Sequence, residues 1–268
     1  GIPVPGADYT WEQFLADCET IKGRGYIPIA CSLVEVPHYL FEFAVMNNGT
    51  VENHLEVPTL DENGNLRDDE VSRKWVAALN DIKALYDLGY FPPNTLTATD
   101  EETVSLFGNG KAAFLVDGSW QVGPLGERFG DKIENMAVRF VPGKGERKAT
   151  EGIGGISMGY FITRKAWKNP EKRDAAVRFV EMLTSNEILS TFIRTEVTAL
   201  IDGASPVGLN SLEQSAAETN AQLTRVSLAV QDAISAEAKS TLFTSIQKVV
   251  TGQMTAEKAV ATAIQRNE

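Results

Sequence analysis

Apolar positions recur at helical spacing through much of this chain, broken by a few short continuous apolar runs. Trp11, Phe14, Leu15, Cys18 and Ile21 fall on one stripe, so a helix is predicted after Thr10, which pairs with Gln13 as a capping box, until Gly23 and Gly25 stop it. Val71, Trp75, Leu79, Ile82 and Tyr86 repeat the pattern over Asp68 to Leu88, which places Trp75 in a core. Thr99 with Asp100, Glu101 and Glu102 opens a helix of about two turns that ends at Gly108. Leu40 to Met46, Val122 to Phe129, Asn169-Pro170 to Leu183, Asn186 to about Arg194, a helix opened by Ser211, Glu237 to Val250 and Thr255 to Gln265 complete the helices.

Four runs read as strands: Tyr26 to Cys31, Ala112 to Val116, Met136 to Val141, and Gly152 to Ile162. Ala112 to Val116 is almost wholly apolar, which suits a strand covered on both faces of a parallel sheet. Between the elements, Ser32 to Tyr39 reads as loop, Leu60 to Leu66 as a turn at Asn63-Gly64, Pro142 to Gly152 as a solvated hairpin, and Ile201 to Val207 as loop.

Helices alternating with apolar strands imply an α/β fold, in which ligands gather beyond the carboxyl ends of the strands. Two segments sit there. Asp117-Gly118-Ser119 turns the chain and delivers Trp120; Glu35, His38 and Tyr39 follow the first strand. An indole in that place is either core or a stacking platform whose N–H edge can bond a hydroxyl. Four glycines between Gly152 and Gly159 weaken a strand, so Gly154 and Gly155 mark either a bulge or a crossing that passes close to ligand.

Composition narrows the classes. The chain has 268 residues, a net charge of −11 and 43% hydrophobic content, which argues against nucleic acid and for one or two soluble domains. No run approaches the roughly 18 apolar residues of a membrane span. Cys18 and Cys31 read as buried free thiols, and His38 and His54 give neither a metal cluster nor a nucleophile triad, each being expected on the surface or in a loop. The Gly-Lys-Gly-Glu-Arg-Lys run at 143–148 lacks phosphate-loop spacing. No cofactor is called for.

The run Gly110-Lys-Ala-Ala-Phe-Leu-Val-Asp-Gly-Ser-Trp120 resembles the signature of extracellular solute-binding proteins of ABC importers, in the carbohydrate-binding group that includes maltose-binding protein. Thr10-Trp-Glu-Gln-Phe14, Leu85-Tyr-Asp-Leu-Gly-Tyr-Phe91, Phe179-Val-Glu-Met-Leu-Thr-Ser185 and Thr251 to Ala259 resemble further family segments in the same order. The resemblance implies a periplasmic-binding-protein-like (type II) fold, largely the carboxyl-side lobe with part of the amino-side lobe. Residues 1–152 and 222–268 correspond to the former, and 153–221, after a hinge crossing, to the helical portion of the latter. It covers the family pattern without its first third, which implies a fragment able to self-associate through an exposed sheet edge near Ile156 to Ile162.

By the same resemblance, the solute is a sugar or oligosaccharide, the partners are membrane permease subunits, and the protein acts outside the cell or in the periplasm, anchored through an upstream segment. Trp120, Asp117, Ser119, Glu35, His38, Tyr39, Gly154, Gly155 and Phe243 are the implied ligand residues; Phe243 stands where the maltose binder has a tryptophan. The family's amino-side cleft carboxylates and arginine have no counterpart here. A glycosidase would need two carboxylates about 5 to 10 Å apart, and no spacing nominates a pair, so a non-catalytic receptor is preferred. A sugar-processing enzyme and a receptor for a peptide, polyamine or anion are the alternatives.

Overall fold

The computed structural model describes residues 2–155, 159–192 and 208–267. In chain order the helices are α1 (Trp11–Gly23), α2 (Pro37–Asn47), α3 (Glu70–Asp87), α4 (Asp100–Gly108), α5 (Val122–Phe129), α6 (Arg164–Trp167), α7 (Pro170–Leu183), α8 (Asn186–Phe192), α9 (Ser211–Asn220), α10 (Ala236–Val250) and α11 (Ala256–Ile264). The strands are β1 (Ile27–Ala30), β2 (Ala112–Leu115), β3 (Glu151–Ile153) and β4 (Arg225–Ser227). Two compact units result. The larger comprises Gly1–Asp117, Arg139–Gly155 and Gln222–Glu268, and the smaller Gly118–Val138 and Ile156–Ala221. Residues 118–138 thus group with the smaller unit.

In the larger unit, helix starts follow from local chemistry. Thr10 and Gln13 form a reciprocal capping box at α1, Thr99 and Glu102 another at α4, and Asp69 accepts from the Ser72 N–H at α3. Helix α3 turns Trp75, Ala78, Leu79, Ile82 and Leu85 inward, against α2, α10 and α11. Phe41, Leu242, Ile246, Val260 and Ala263 fill the same core, in which Cys18 and Cys31 are buried free thiols. Strands β1 and β2 pair in parallel, Ile27 opposite Ala112 and Ile29 opposite Phe114, and β3 pairs in parallel with β4.

Several expectations are corrected. Helix α2 opens at Pro37, not Leu40, because a proline at the first helical position gives up an N–H that has no partner there anyway; His38 and Tyr39 are therefore helical rather than loop. Strand β2 is not covered on both faces: Ala113 is exposed, so no element packs over that side of the strand at this position. The apolar run Gly152 to Ile162 yields only β3, ladder-bonded through Gly154 N–H to Ser227 O at 2.9 Å; residues 156–158 of that run lie outside the described residues, and 159–163 form no strand. The expected helix end at Arg194 and the loop 201–207 also lie outside them.

Residues 136–141 are not a strand either. Within the smaller unit, the Val138 backbone turns to side chains on α9. Ser215 Oγ accepts from its N–H at 3.0 Å and donates to its carbonyl at 3.2 Å, and Thr219 Oγ1 donates to the same carbonyl at 3.0 Å. Polar side chains here take the place of a neighbouring strand. Asn210 with Glu213 caps α9, and Asn169 caps α7 over Pro170. Helix α7 has no fully buried residue, and Phe161 stands 90% exposed.

The presumed solvated hairpin at 142–152 is a buried clamp. Arg147, Ala149 and Glu151 alternate inward. The Arg147 guanidinium, 3% exposed, donates to Glu151 O at 3.1 and 2.7 Å, Pro142 O at 2.8 Å, Asn47 Oδ1 at 2.8 Å and Val141 O at 3.3 Å. Glu151 accepts in turn from Lys148 N and from Arg225 Nε at 2.9 Å, and Arg225 also meets Glu52.

The core predicts alkaline sensitivity. Burial, aided by donation to Glu19 Oε2 at 3.1 Å, pushes the Tyr90 phenol up to about 12, and burial with the Asp17 charge pushes the Cys18 thiol to about 12. A folded-state pKa above the unfolded one stabilises below the unfolded value and is lost as pH rises through the folded value. Unfolding free energy should therefore fall between about pH 10 and 12, and fall less steeply in Tyr90→Phe, as measured by urea titrations at stepped pH. A Tyr90→Phe slope equal to the parent's would overturn this assignment.

Candidate functional site

The carboxyl ends of β1 and β2 in the larger unit gather polar groups. Beyond β1, Ser32 Oγ donates to Ala98 O at 2.7 Å and accepts from the N–H of Glu35 at 3.0 Å, which fixes the turn leading to α2. The Glu35 carboxylate reaches the first turn of α4 and accepts from Asp100 N–H at 2.7 Å. An anion is favoured there by the helix dipole, so one Glu35 oxygen is committed to structure. Burial, then the Glu35 charge, pushes the Asp100 carboxyl above its ordinary value. Asp117, just past β2, acts with Asp100 on the buried Cys31 thiol, which burial first and these two charges second drive far up. Cys31 is therefore an inert core thiol.

An aromatic shelf lies in the same unit. His38, in the first turn of α2, stacks on Phe243 of α10 with ring centroids 5.2 Å apart and planes at 22°, and Tyr39 lies 4.4 Å from His38 at 59°. Phe243 is partly buried and packs against the core. The fold thus joins residues some two hundred positions apart in sequence.

Trp120 belongs to the smaller unit, in a single 3₁₀ turn (Ser119–Gln121) running into α5. Its indole is 56% exposed. The six-membered ring covers the Gly118 backbone, in the space any Cβ there would occupy. Glycine is therefore what lets the indole fold back on its own turn, one face supported and the side chain largely open. Ser119 accepts through its carbonyl from Val122 N–H and serves the turn's backbone.

The sequence pattern described as bacterial extracellular solute-binding protein matches residues 1–188. The chain belongs to this family. Among solved structures of the same fold are a chitin oligosaccharide binding protein (22% identity, TM-score 0.79, covering 98% of this chain and 64% of that one) and a protein described with xylan utilization by the thermophilic bacterium Caldanaerobius polysaccharolyticus (18% identity, TM-score 0.73, covering 100% and 67%). A third is the bacterial solute receptor AcbH, described as preferring β-D-galactopyranose (17% identity, TM-score 0.66, covering 100% and 64%). This solute-binding chain spans about two thirds of the length of these structures. The fold is periplasmic-binding-protein-like. Comparison with curated proteins finds no match.

In this solute-binding family member, Gly154 and Gly155 lie against neighbouring side chains. Gly155 has φ of 122°, a conformation side chains rarely adopt, and Leu228 Cδ2 stands where its Cβ would be. At Gly154 a Cβ would press on Val226 Cγ1 at 3.0 Å. Both glycines thus admit close approach by the side chains of Val226 in β4 and Leu228 just past it.

Two features escaped the sequence. His54, expected on the surface, is fully buried with Nε2 3.4 Å from Glu42 Oε2, while Glu42 accepts from Val230 N–H at 2.7 Å and Gln231 N–H at 2.9 Å beyond β4. The Arg147 clamp was the other; its only trace was the inward alternation Arg147, Ala149, Glu151 inside a charged run. Among the described residues no helix is long and apolar enough to cross a membrane.

Proposed function

We propose that this protein is the solute-capturing component of an ABC-type importer, holding a sugar or oligosaccharide by aromatic stacking and hydrogen bonds and handing it to membrane permease subunits. The observation that carries the reading is Trp120: an indole more than half exposed on the turn after an apolar strand, supported on one face by Gly118. Large apolar side chains are usually kept inside, and an aromatic ring on a rigid turn packs well against the flat face of a pyranose. Within the larger unit, the His38–Phe243–Tyr39 shelf offers aromatic faces, and Asp117 and Glu35 offer carboxylate oxygens as acceptors for hydroxyl groups.

Chitin oligosaccharide in one structural neighbour and β-D-galactopyranose in another support the substrate class. On this reading, residues 1–152 and 222–268, apart from 118–138, which group with the smaller unit, form the carboxyl-side lobe, residues 153–221 are the helical part of the amino-side lobe, and the protein works outside the cell or in the periplasm. It binds without performing a reaction. The exposed Tyr160 and Phe161 support self-association near that segment.

Calorimetry with chito-, xylo- and galacto-oligosaccharides tests the reading. Trp120→Ala is expected to weaken binding at least about tenfold, near 1.4 kcal/mol. Equal affinity in the variant would remove the stacking role, and reducing sugar released over time would move the protein into the enzyme class. A cationic solute is the second reading, favoured by the acidic groups Glu35, Asp100 and Asp117 at the strand ends; heat on adding spermidine and none with sugars would select it.

A further inference from the structure

His38 has one nitrogen that the fold closes off. The side chain is half-buried between Phe243 and Tyr39, and Nδ1 is enclosed with no hydrogen-bond partner. A partnerless enclosed donor or acceptor each loses its hydration, but native folds leave buried N–H donors orphaned more rarely than buried acceptors. The proton of the neutral ring therefore belongs on Nε2. Charging the ring would place a second N–H at the enclosed position, and the surroundings oppose it further: burial lowers the His38 pKa most, Lys239 lowers it too, and Glu42 only partly offsets them. A neutral imidazole with a fixed tautomer offers one N–H donor on its open edge, beside a ring stack.

We infer that His38 is a specificity-determining donor of the solute site, a neutral Nε2–H imidazole on the Phe243 shelf that gives its hydrogen bond to an uncharged oxygen of the solute. Ammonium groups have donors and no acceptor, so this edge selects hydroxyl, ring-ether or amide oxygens over a polyamine. The inference rests on the sugar-receptor reading, and it adds the chemical group recognised and the residue that recognises it.

The test uses the chain with ¹⁵N-labelled histidine. Long-range ¹H–¹⁵N spectra at neutral pH are expected to show His38 neutral with its proton on Nε2. N,N′-diacetylchitobiose, xylobiose and galactose are then added at millimolar concentration, and at least one should move the His38 ring signals while spermidine does not. His38→Phe keeps the stack and removes the donor, and should bind the responding sugar at least about tenfold more weakly. A proton on Nδ1, a charged ring at neutral pH, or unchanged affinity in His38→Phe overturns the inference. Sugar binding by the parent chain that leaves the His38 signals in place overturns the inference alone. Spermidine binding with no response to any sugar overturns the inference and the receptor reading together. The spectra of the unaltered chain decide the tautomer even if the variant folds poorly.

Discussion

Replacing Trp75 with alanine is expected to lower the unfolding free energy by about 3–5 kcal/mol. Trp75 is fully buried at the centre of the inward face of α3, edge-on to Phe41 with centroids 5.3 Å apart and planes at 72°. Truncation forfeits the transfer energy of the indole and leaves a cavity beside Phe41 in the core. It also strips Glu56 O of the Nε1 donor at 3.1 Å. Domains of this kind are stable by only about 5–15 kcal/mol, so the loss takes a large share. Urea titration followed by far-ultraviolet circular dichroism should show a lower midpoint with an unchanged slope. Trp75→Phe, which keeps most of the packing but not the hydrogen bond, should fall between. A Trp75→Ala midpoint equal to the parent's would mean that Trp75 does not anchor this core.

What was legible in the sequence is what short stretches decide. The capping boxes Thr10–Gln13 and Thr99–Glu102, the Asn169-Pro170 start and the Trp75 stripe need only residues within a few turns of each other, and each forms as expected. Parallel pairing of the two apolar strands was likewise legible from composition. Residues 136–141 have strand composition, but a strand needs a partner, and Val138 meets Ser215 and Thr219 instead, 77 and 81 positions away. Exposure of Trp120 was readable because strand, turn glycine and indole are consecutive. The tie of Glu35 to Asp100 N–H and the stack of His38 on Phe243 were not, since each joins segments that only the folded core brings together. Charge misled most at Arg147: in a run of lysine, glutamate and glycine, nothing local separates a buried guanidinium from its solvated neighbours.

That guanidinium carries the second large effect. Arg147→Met is expected to cost about 2–4 kcal/mol, measured by urea titration. The side chain holds six hydrogen bonds to Glu151 O, Pro142 O, Asn47 Oδ1 and Val141 O, and lies over the Phe43 ring at 5.4 Å. Methionine refills the volume but leaves those acceptors dry, each at roughly 1–3 kcal/mol, while the removed desolvation of the charge offsets part of the sum. The size of that offset shows in the Arg147 pKa, which burial pulls down to about 10 against the favourable pull of Glu151. Arg147→Lys keeps the charge and the burial cost yet cannot span a planar fork of acceptors, so it should cost at least as much as methionine. The loss should also be local. Amide exchange should quicken first at Gly154 and Thr224, whose N–H groups bond Ser227 O and Thr150 O across the β3–β4 pair that the clamp braces. Unchanged exchange at those two amides, together with a parent-like urea midpoint in Arg147→Met, would reduce the clamp to a contact of no energetic weight.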